Sequence, residues 1–137
     1  MKRLVVFCAL MACEGDVIVD YHTGSMDDIV GPSISHTAIA EAQLYGQDVL
    51  IEAMADDDSG VFVVEMVYKQ ETSGTSGWKR KPMSEVGGGL FQGAIPGDDV
   101  GSAGMHYYLQ ATDSLDNTSC LPEECELEPW HFSVSGF

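Results

Sequence analysis

Positive charge is scarce in this chain: Lys and Arg total 6 against 22 Asp and Glu, for a formal net charge of −16. Such a body is repelled by a phosphate backbone and by anionic headgroups, so nucleic acid is not an expected partner, and neither is a membrane held through a basic surface. No apolar run reaches the about twenty residues that a helix needs to cross the hydrocarbon core. Spacings that carry catalysis are missing too. There is no Gly-x-Ser-x-Gly elbow to present a nucleophilic serine, no His-Glu-x-x-His or His-x-His metal spacing, and no EF-hand loop. Gly87-Gly88-Gly89 is not followed by a lysine and a helix, so it reads as a bend before a strand and not as a phosphate cradle. Amphipathic helices are lacking as well; Ala38 to Tyr45 comes nearest, and it is short. An enzyme is therefore not expected.

What is present begins with an export signal. Lys2 and Arg3 precede an apolar run from Leu4 to Ala12, too short for a membrane span and suited to a secretory leader. Leu10-Met11-Ala12-Cys13 resembles the lipobox of bacterial lipoproteins. That resemblance implies diacylation of the Cys13 thiol, removal of residues 1–12 and a mature start at Cys13. Two acyl chains hold a protein to a membrane where one binds only marginally. Loss of Lys2 and Arg3 with the leader takes the formal charge from −16 to −18. Residues 13–31, rich in Asp and Gly and without a sustained period, read as an acidic tether, with a short strand over Val17 to Tyr21. Residues 32–137 read as one domain.

Within that domain, short apolar runs recur every eight to twelve positions between turn residues, the pattern of an all-β sandwich. Val49, Ile51 and Ala53 alternate against Leu50, Glu52 and Met54. Phe62, Val64, Met66 and Tyr68 share a side of Val61 to Lys69. Trp78 to Met83 returns beside that run, and Leu90 to Ile95 stops at Pro96. Met105, Tyr107, Leu109 and Ala111 share a face, as do Phe132 and Val134. An edge strand over Ser33 to Ala38 brings the number to seven. Cys8 leaves with the leader and Cys13 carries lipid, so Cys120 and Cys125 are expected to pair in an oxidising exterior.

The succession DDDSGVFVVEMVYK, GW with a basic turn, GLFQGAIPGDDV and GMHYYLQATDSLDN resembles the immunoglobulin-like or fibronectin type III-like modules of bacterial secreted and surface proteins. Phe91 with Ile95-Pro96, and Tyr107-Tyr108 with Ala111 and Asp113, carry the likeness. It implies a seven-stranded antiparallel immunoglobulin-like β-sandwich over residues 32–137, and architecture far more than activity. One departure stands out. Family members make a tight Asp-x-x-Gly-Asn turn before the last strand, whereas Asp116 stands at the glycine position and the chain runs on through NTSCLPEECELEP. From Asp113 to Pro129 the sequence therefore predicts a long disulfide-closed loop before the last strand.

In such a sandwich the connections near residues 56–58 and 113–117 lie at the same end. Asp57, Asp58, Asp113, Asp116 and Asn117 would then converge, with Asp56, as candidate oxygen ligands for calcium; the plainer alternative is that Asp58 and Asp113 only cap turns. His106 and His131 fall on neighbouring strands facing outward, as a surface pair lacking a third metal ligand. Lys79, Arg80 and Lys81 either dock an acidic partner or blunt an edge strand, the second being favoured. The expected function is a non-enzymatic, lipid-anchored, adhesion-type binding or structural module at a bacterial outer membrane or cell surface, with a protein or carbohydrate ligand. Two alternatives are a peptidase inhibitor presenting Leu121 to Glu124 in the Cys120–Cys125 loop, and a calcium-stabilised adhesion module.

Overall fold

The computed structural model describes residues 28–73 and 77–137. Cys13, the leader, and the short strand expected over Val17 to Tyr21 lie outside the described residues. Among the described residues there are strands and short 3-10 turns and no α-helix. The strands are β1 (Ser33–Ser35), β2 (Gln43–Leu44), β3 (Val49–Asp56), β4 (Val61–Gln70), β5 (Lys79–Pro82), β6 (Ser84–Gly87), β7 (Leu90–Ile95), β8 (Met105–Asp113), β9 (Thr118–Leu121), β10 (Trp130–Phe132) and β11 (Val134–Ser135). One sheet has the order β1-β3-β7-β6; the other runs β10-β8-β4-β5, with β9 also paired to β8; β11 and β2 form a small third ladder.

Period-two alternation makes the core. The four inward residues of β3, Val49, Ile51, Ala53 and Ala55, are buried while the positions between them are exposed. Met105, Tyr107, Leu109 and Ala111 of β8 face them across the interior, with Val64, Met66 and Tyr68 of β4 and with Phe91 and Ile95 of β7. Because two antiparallel sheets bury their inner faces against each other, the domain is sandwich-like. Phe62 departs from the expected face and is 75% exposed. The register slips between Val61 and Val63, a bulge that turns Phe62 away from the core side of its neighbours.

Seven strands were expected, and the described residues hold eleven segments. The run expected over Trp78 to Met83 does not end with β5: at Met83, whose amide donates to the Val64 carbonyl, the chain crosses to the other sheet and continues as β6. The final run likewise breaks after Phe132. β10 pairs antiparallel with β8, and β11 then pairs parallel with β2, where Gln43 and Tyr45 donate to the Ser133 and Ser135 carbonyls. Those bonds are also why the Ala38 to Tyr45 stretch contributes a strand and not a helix.

The segment from Asp113 to Pro129 differs from the expected long loop. Its first part is a tight hairpin: the Asp113 amide donates to the Asn117 carbonyl and the Asp116 amide to the Asp113 carbonyl. Asp116 has φ 69°, a left-handed conformation that Asp adopts more readily than most side chains. The left-handed turn position is thus taken by aspartate, and β9 follows at once along β8. Only Pro122 to Pro129 leaves the sheet. The disulfide between Cys120 and Cys125 ties this excursion down, with 5.5 Å between the Cα atoms. Its 3-10 turn at Cys125–Leu127 packs on β8, where Tyr108 and Val67 are buried on the outer side of the sheet. Trp78 meets Tyr108 edge-on at 5.3 Å between ring centroids.

Candidate functional site

The β3–β4 turn and the β8–β9 turn meet at one end of the sandwich, and there carboxylates gather. Single oxygens of Asp28, Asp57 and Asp113 lie within 4.8 Å of one another. Asp113, at the end of β8, is 1% exposed. One of its oxygens accepts from the Leu115 and Asn117 amides at 2.8 Å each, and the other from the Asn117 side-chain amide at 2.9 Å. Burial pushes its pKa up, but the donors from Asn117 and Leu115 outweigh burial and hold it below the usual value. Asp57 caps its own turn, accepting from the Ser59 amide at 2.9 Å and the Ser59 hydroxyl at 2.7 Å.

Of the six residues expected to converge on a cation, Asp57 and Asp113 come together, and Asn117 stands beside them as a donor. Asn117 gives its side-chain amide to Asp113 and to the Asp28 carbonyl at 3.0 Å, so it orients the carboxylate. Asp56, Asp58 and Asp116 are exposed and outside the cluster. Asp57 is the residue that caps the β3–β4 turn, a role expected of Asp58. In Asp116's case the left-handed backbone turns the residue out of the ring of hydrogen bonds that Asp113 closes. The third carboxylate is Asp28, placed by the sequence in the tether. Gly31 lets that segment lie against the sheet, since a Cβ there would sit 2.5 Å from the Thr118 carbonyl oxygen. Asp28 Oδ2 is buried and has no hydrogen-bond partner among the described residues. Its approach was not legible because the contact spans most of the chain.

A second polar constellation is structural. Tyr107, buried in the core, accepts from the Ile39 amide at 3.1 Å and lies 2.9 Å from His36 Nε2. His36 Nδ1 is 2.6 Å from the Glu52 carbonyl. A Nδ1–H tautomer satisfies every group: His36 donates to Glu52, and Tyr107 donates to His36. Along the other sheet, Lys79 pairs with Asp99 at 2.6 Å and Arg80 with Glu65 at 3.1 Å. Lys79 holds the Asp99 carboxyl below its usual range, and Asp99 accepts from Tyr68, whose pKa burial and that carboxylate push up to about 12. β5 is an edge strand, as the lysine-rich sequence implies. His106 and His131 are direct cross-strand partners at the other end of β8.

No family model matches the chain, and no curated protein matches it. Among solved structures it is similar to an X-ray structure of the endo-beta-1,4-mannanase from Thermotoga petrophila, with a TM-score of 0.54 at 11% identity. The match covers 82% of this chain and 21% of that one. At that identity the likeness concerns the fold alone, and this chain spans about a fifth of the enzyme it matches.

Proposed function

We propose that the chain is an immunoglobulin-like β-sandwich module, exported and lipidated at Cys13, that works at a bacterial envelope by binding a protein or carbohydrate or as a structural element. The strand order supports the fold reading. Taking β1, β3, β4, β5, β6, β7 and β8 as strands A, B, C, C′, D, E and F, and β9, β10 and β11 together as an interrupted strand G, the sheets read ABED and GFCC′. On this reading the disulfide excursion is an insertion within the last strand. A charge of −16 disfavours nucleic acid and leaves membrane attachment to lipid. The test of anchoring is radiolabelled palmitate: the native protein incorporates label, whereas a Cys13→Ala variant takes up none and leaves the membrane fraction. A Cys13→Ala variant that stays membrane-bound overturns it.

The reading is non-enzymatic. At the carboxylate corner Asp113 takes hydrogen bonds at both oxygens from its own turn and Asp57 takes them from Ser59, so both carboxylates are held as turn caps and neither is presented as a general acid or nucleophile. Likeness to part of a mannanase supplies a direct check: release of reducing sugar from β-1,4-mannan by the purified chain would overturn this reading. The peptidase-inhibitor alternative is less favoured, because Cys125 donates to the Pro122 carbonyl at 2.9 Å, closing a tight turn where an inhibitor needs an extended strand.

A calcium-stabilised module is the second reading, favoured by the buried, unpartnered Asp28 oxygen beside Asp57 and Asp113. Three carboxylates form an all-oxygen set that suits a hard cation, with further oxygens drawn from water. A ligand that binds only the folded state raises the melting temperature with its concentration. Millimolar calcium raises it over a chelator control, and Asp28→Asn removes the difference; an unchanged melting temperature sinks this reading.

A further inference from the structure

At the end of β8 away from the carboxylates, three side chains with metal-binding atoms meet on the surface. His106 and His131 face each other across β8 and β10 with ring centroids 5.2 Å apart. Glu71, on the 3-10 turn Glu71–Ser73 after β4, puts Oε1 2.5 Å from His131 Nε2 and 4.0 Å from His106 Nε2. From these positions we propose a surface site for a divalent transition cation of the zinc class, with His106, His131 and Glu71 as its protein ligands. It goes beyond the proposed function and does not depend on it.

Sequence spacing offers two imidazoles and no third ligand; the fold supplies the third from another strand's end. In a tetrahedral zinc site with bonds of about 2.1 Å, neighbouring ligand atoms stand about 3.4 Å apart. The separations from Glu71, 2.5 and 4.0 Å, lie either side of that value, and the two imidazoles, with ring centroids 5.2 Å apart, close on each other as a cation binds. The ligands are accessible, with side chains 29%, 42% and 45% exposed for His106, His131 and Glu71. A fourth position is left to water.

Two features position the group. The Glu71 amide donates to the Gly104 carbonyl at 2.9 Å, which fixes the turn beside the start of β8. Gly104, at φ 110°, carries no side chain, and a Cβ there would sit 2.7 Å from His131 Nε2; glycine keeps that space for the imidazole. His106 is not locked elsewhere. Its Nδ1 is buried without a hydrogen-bond partner among the described residues, and its Nε2 is beyond hydrogen-bond reach of Glu71. A half-turn of the ring about Cβ–Cγ therefore sacrifices no protein hydrogen bond, whereas His36 is engaged at both nitrogens.

Isothermal titration of the full chain with zinc, with and without excess calcium, tests the site. One zinc per chain is expected, weakened about tenfold or more by His106→Ala and by His131→Ala, and less by Glu71→Gln. Glu41→Gln, exposed and outside both clusters, leaves zinc binding unchanged. Circular dichroism of each variant separates lost ligands from lost folding, and imidazole nitrogen signals of His106 and His131 in the native chain shift with zinc while those of His36 stay. Absence of zinc binding, binding that survives both histidine substitutions, or unmoved His106 and His131 signals would each overturn the proposal.

Discussion

The two ends of β8 hold polar clusters of opposite construction. At its end, Asp113 is buried and takes its hydrogen bonds from Leu115 and Asn117, within four residues of itself. Near its start, His106 is half-exposed, lacks hydrogen bonds at its ring nitrogens among the described residues, and meets Glu71 and His131 from 35 positions before and 25 after in the chain. Asp113 in the first cluster is satisfied without a ligand, because the turn that carries the carboxylate also carries its donors, while the Asp28 oxygen beside it is left for a cation. The second is a set of acceptors with few donors, which stands ready for a proton or a cation. One β-strand thus joins a self-satisfied turn, about 20 Å away by strand rise, to an unsatisfied surface group.

The severest way to break the comparison is to remove what the two ends share. Leu109 sits at the middle of β8 and is fully buried. Leu109→Ala is expected to lower stability by about 2–5 kcal/mol, read by denaturant unfolding, and to loosen both ends together. Loss at one end alone would mean that the ends fold independently. A smaller effect, about 2 kcal/mol, is expected from Cys120→Ser with Cys125→Ser, since a short ring removes little unfolded-state entropy. That change frees the excursion over Tyr108 and leaves the carboxylate turn intact. Near-ultraviolet dichroism of Trp78 and Tyr108 follows the first, and amide protection of Asn117 the second.

Local patterns were readable in the sequence, and long-range ones were not. Alternation in β3 and β8 identified the core, and Cys120 with Cys125 identified the disulfide, because each signal lies within a few residues. Asp57 and Asp113 were found through the geometry of sandwich turns. Asp28 and Glu71 were missed, since each reaches its cluster from a segment with no motif of its own. Phe62 was misplaced because a one-residue bulge leaves no mark in a strand of mixed apolar residues. Asp116 was noticed for the right reason, a missing glycine, and given the wrong consequence, a long loop.

Acid distinguishes the ends further. Burial, with His131 and Lys69, depresses the folded pKa of His106, so the unfolded chain takes up the proton first. Stability from that end is whole above the ordinary histidine value of about 6.5 and falls as pH drops below it. Asp113 is also depressed, by donors that outweigh burial, but from the carboxylate value. Its contribution holds down to about pH 4 and is lost as pH falls through its folded pKa. In chelator, amide exchange is therefore expected to rise at Trp130 and Phe132 before it rises at Leu115 and Asn117. The reverse order would show that the histidine end is not the weaker one in acid.

The smallest expected effect asks whether Asp116 is a turn residue or a ligand. An L-residue in the left-handed region is strained by about 1–2 kcal/mol, and glycine returns roughly 0.5–1 kcal/mol of that as unfolded-state entropy. Asp116 has φ 69°, so Asp116→Gly is expected to stabilise the chain by a net of about 0.5 kcal/mol, measurable as a small rise in melting temperature. The Asp113 ring of hydrogen bonds uses the amides of Leu115 and Asn117 and no atom of the Asp116 side chain. Any calcium response should then be the same in Asp116→Gly as in the native chain, and lost in Asp28→Asn. A variant that is less stable, or that loses its calcium response, would place the Asp116 carboxylate in the site and make the β8–β9 turn a binding loop in its own right.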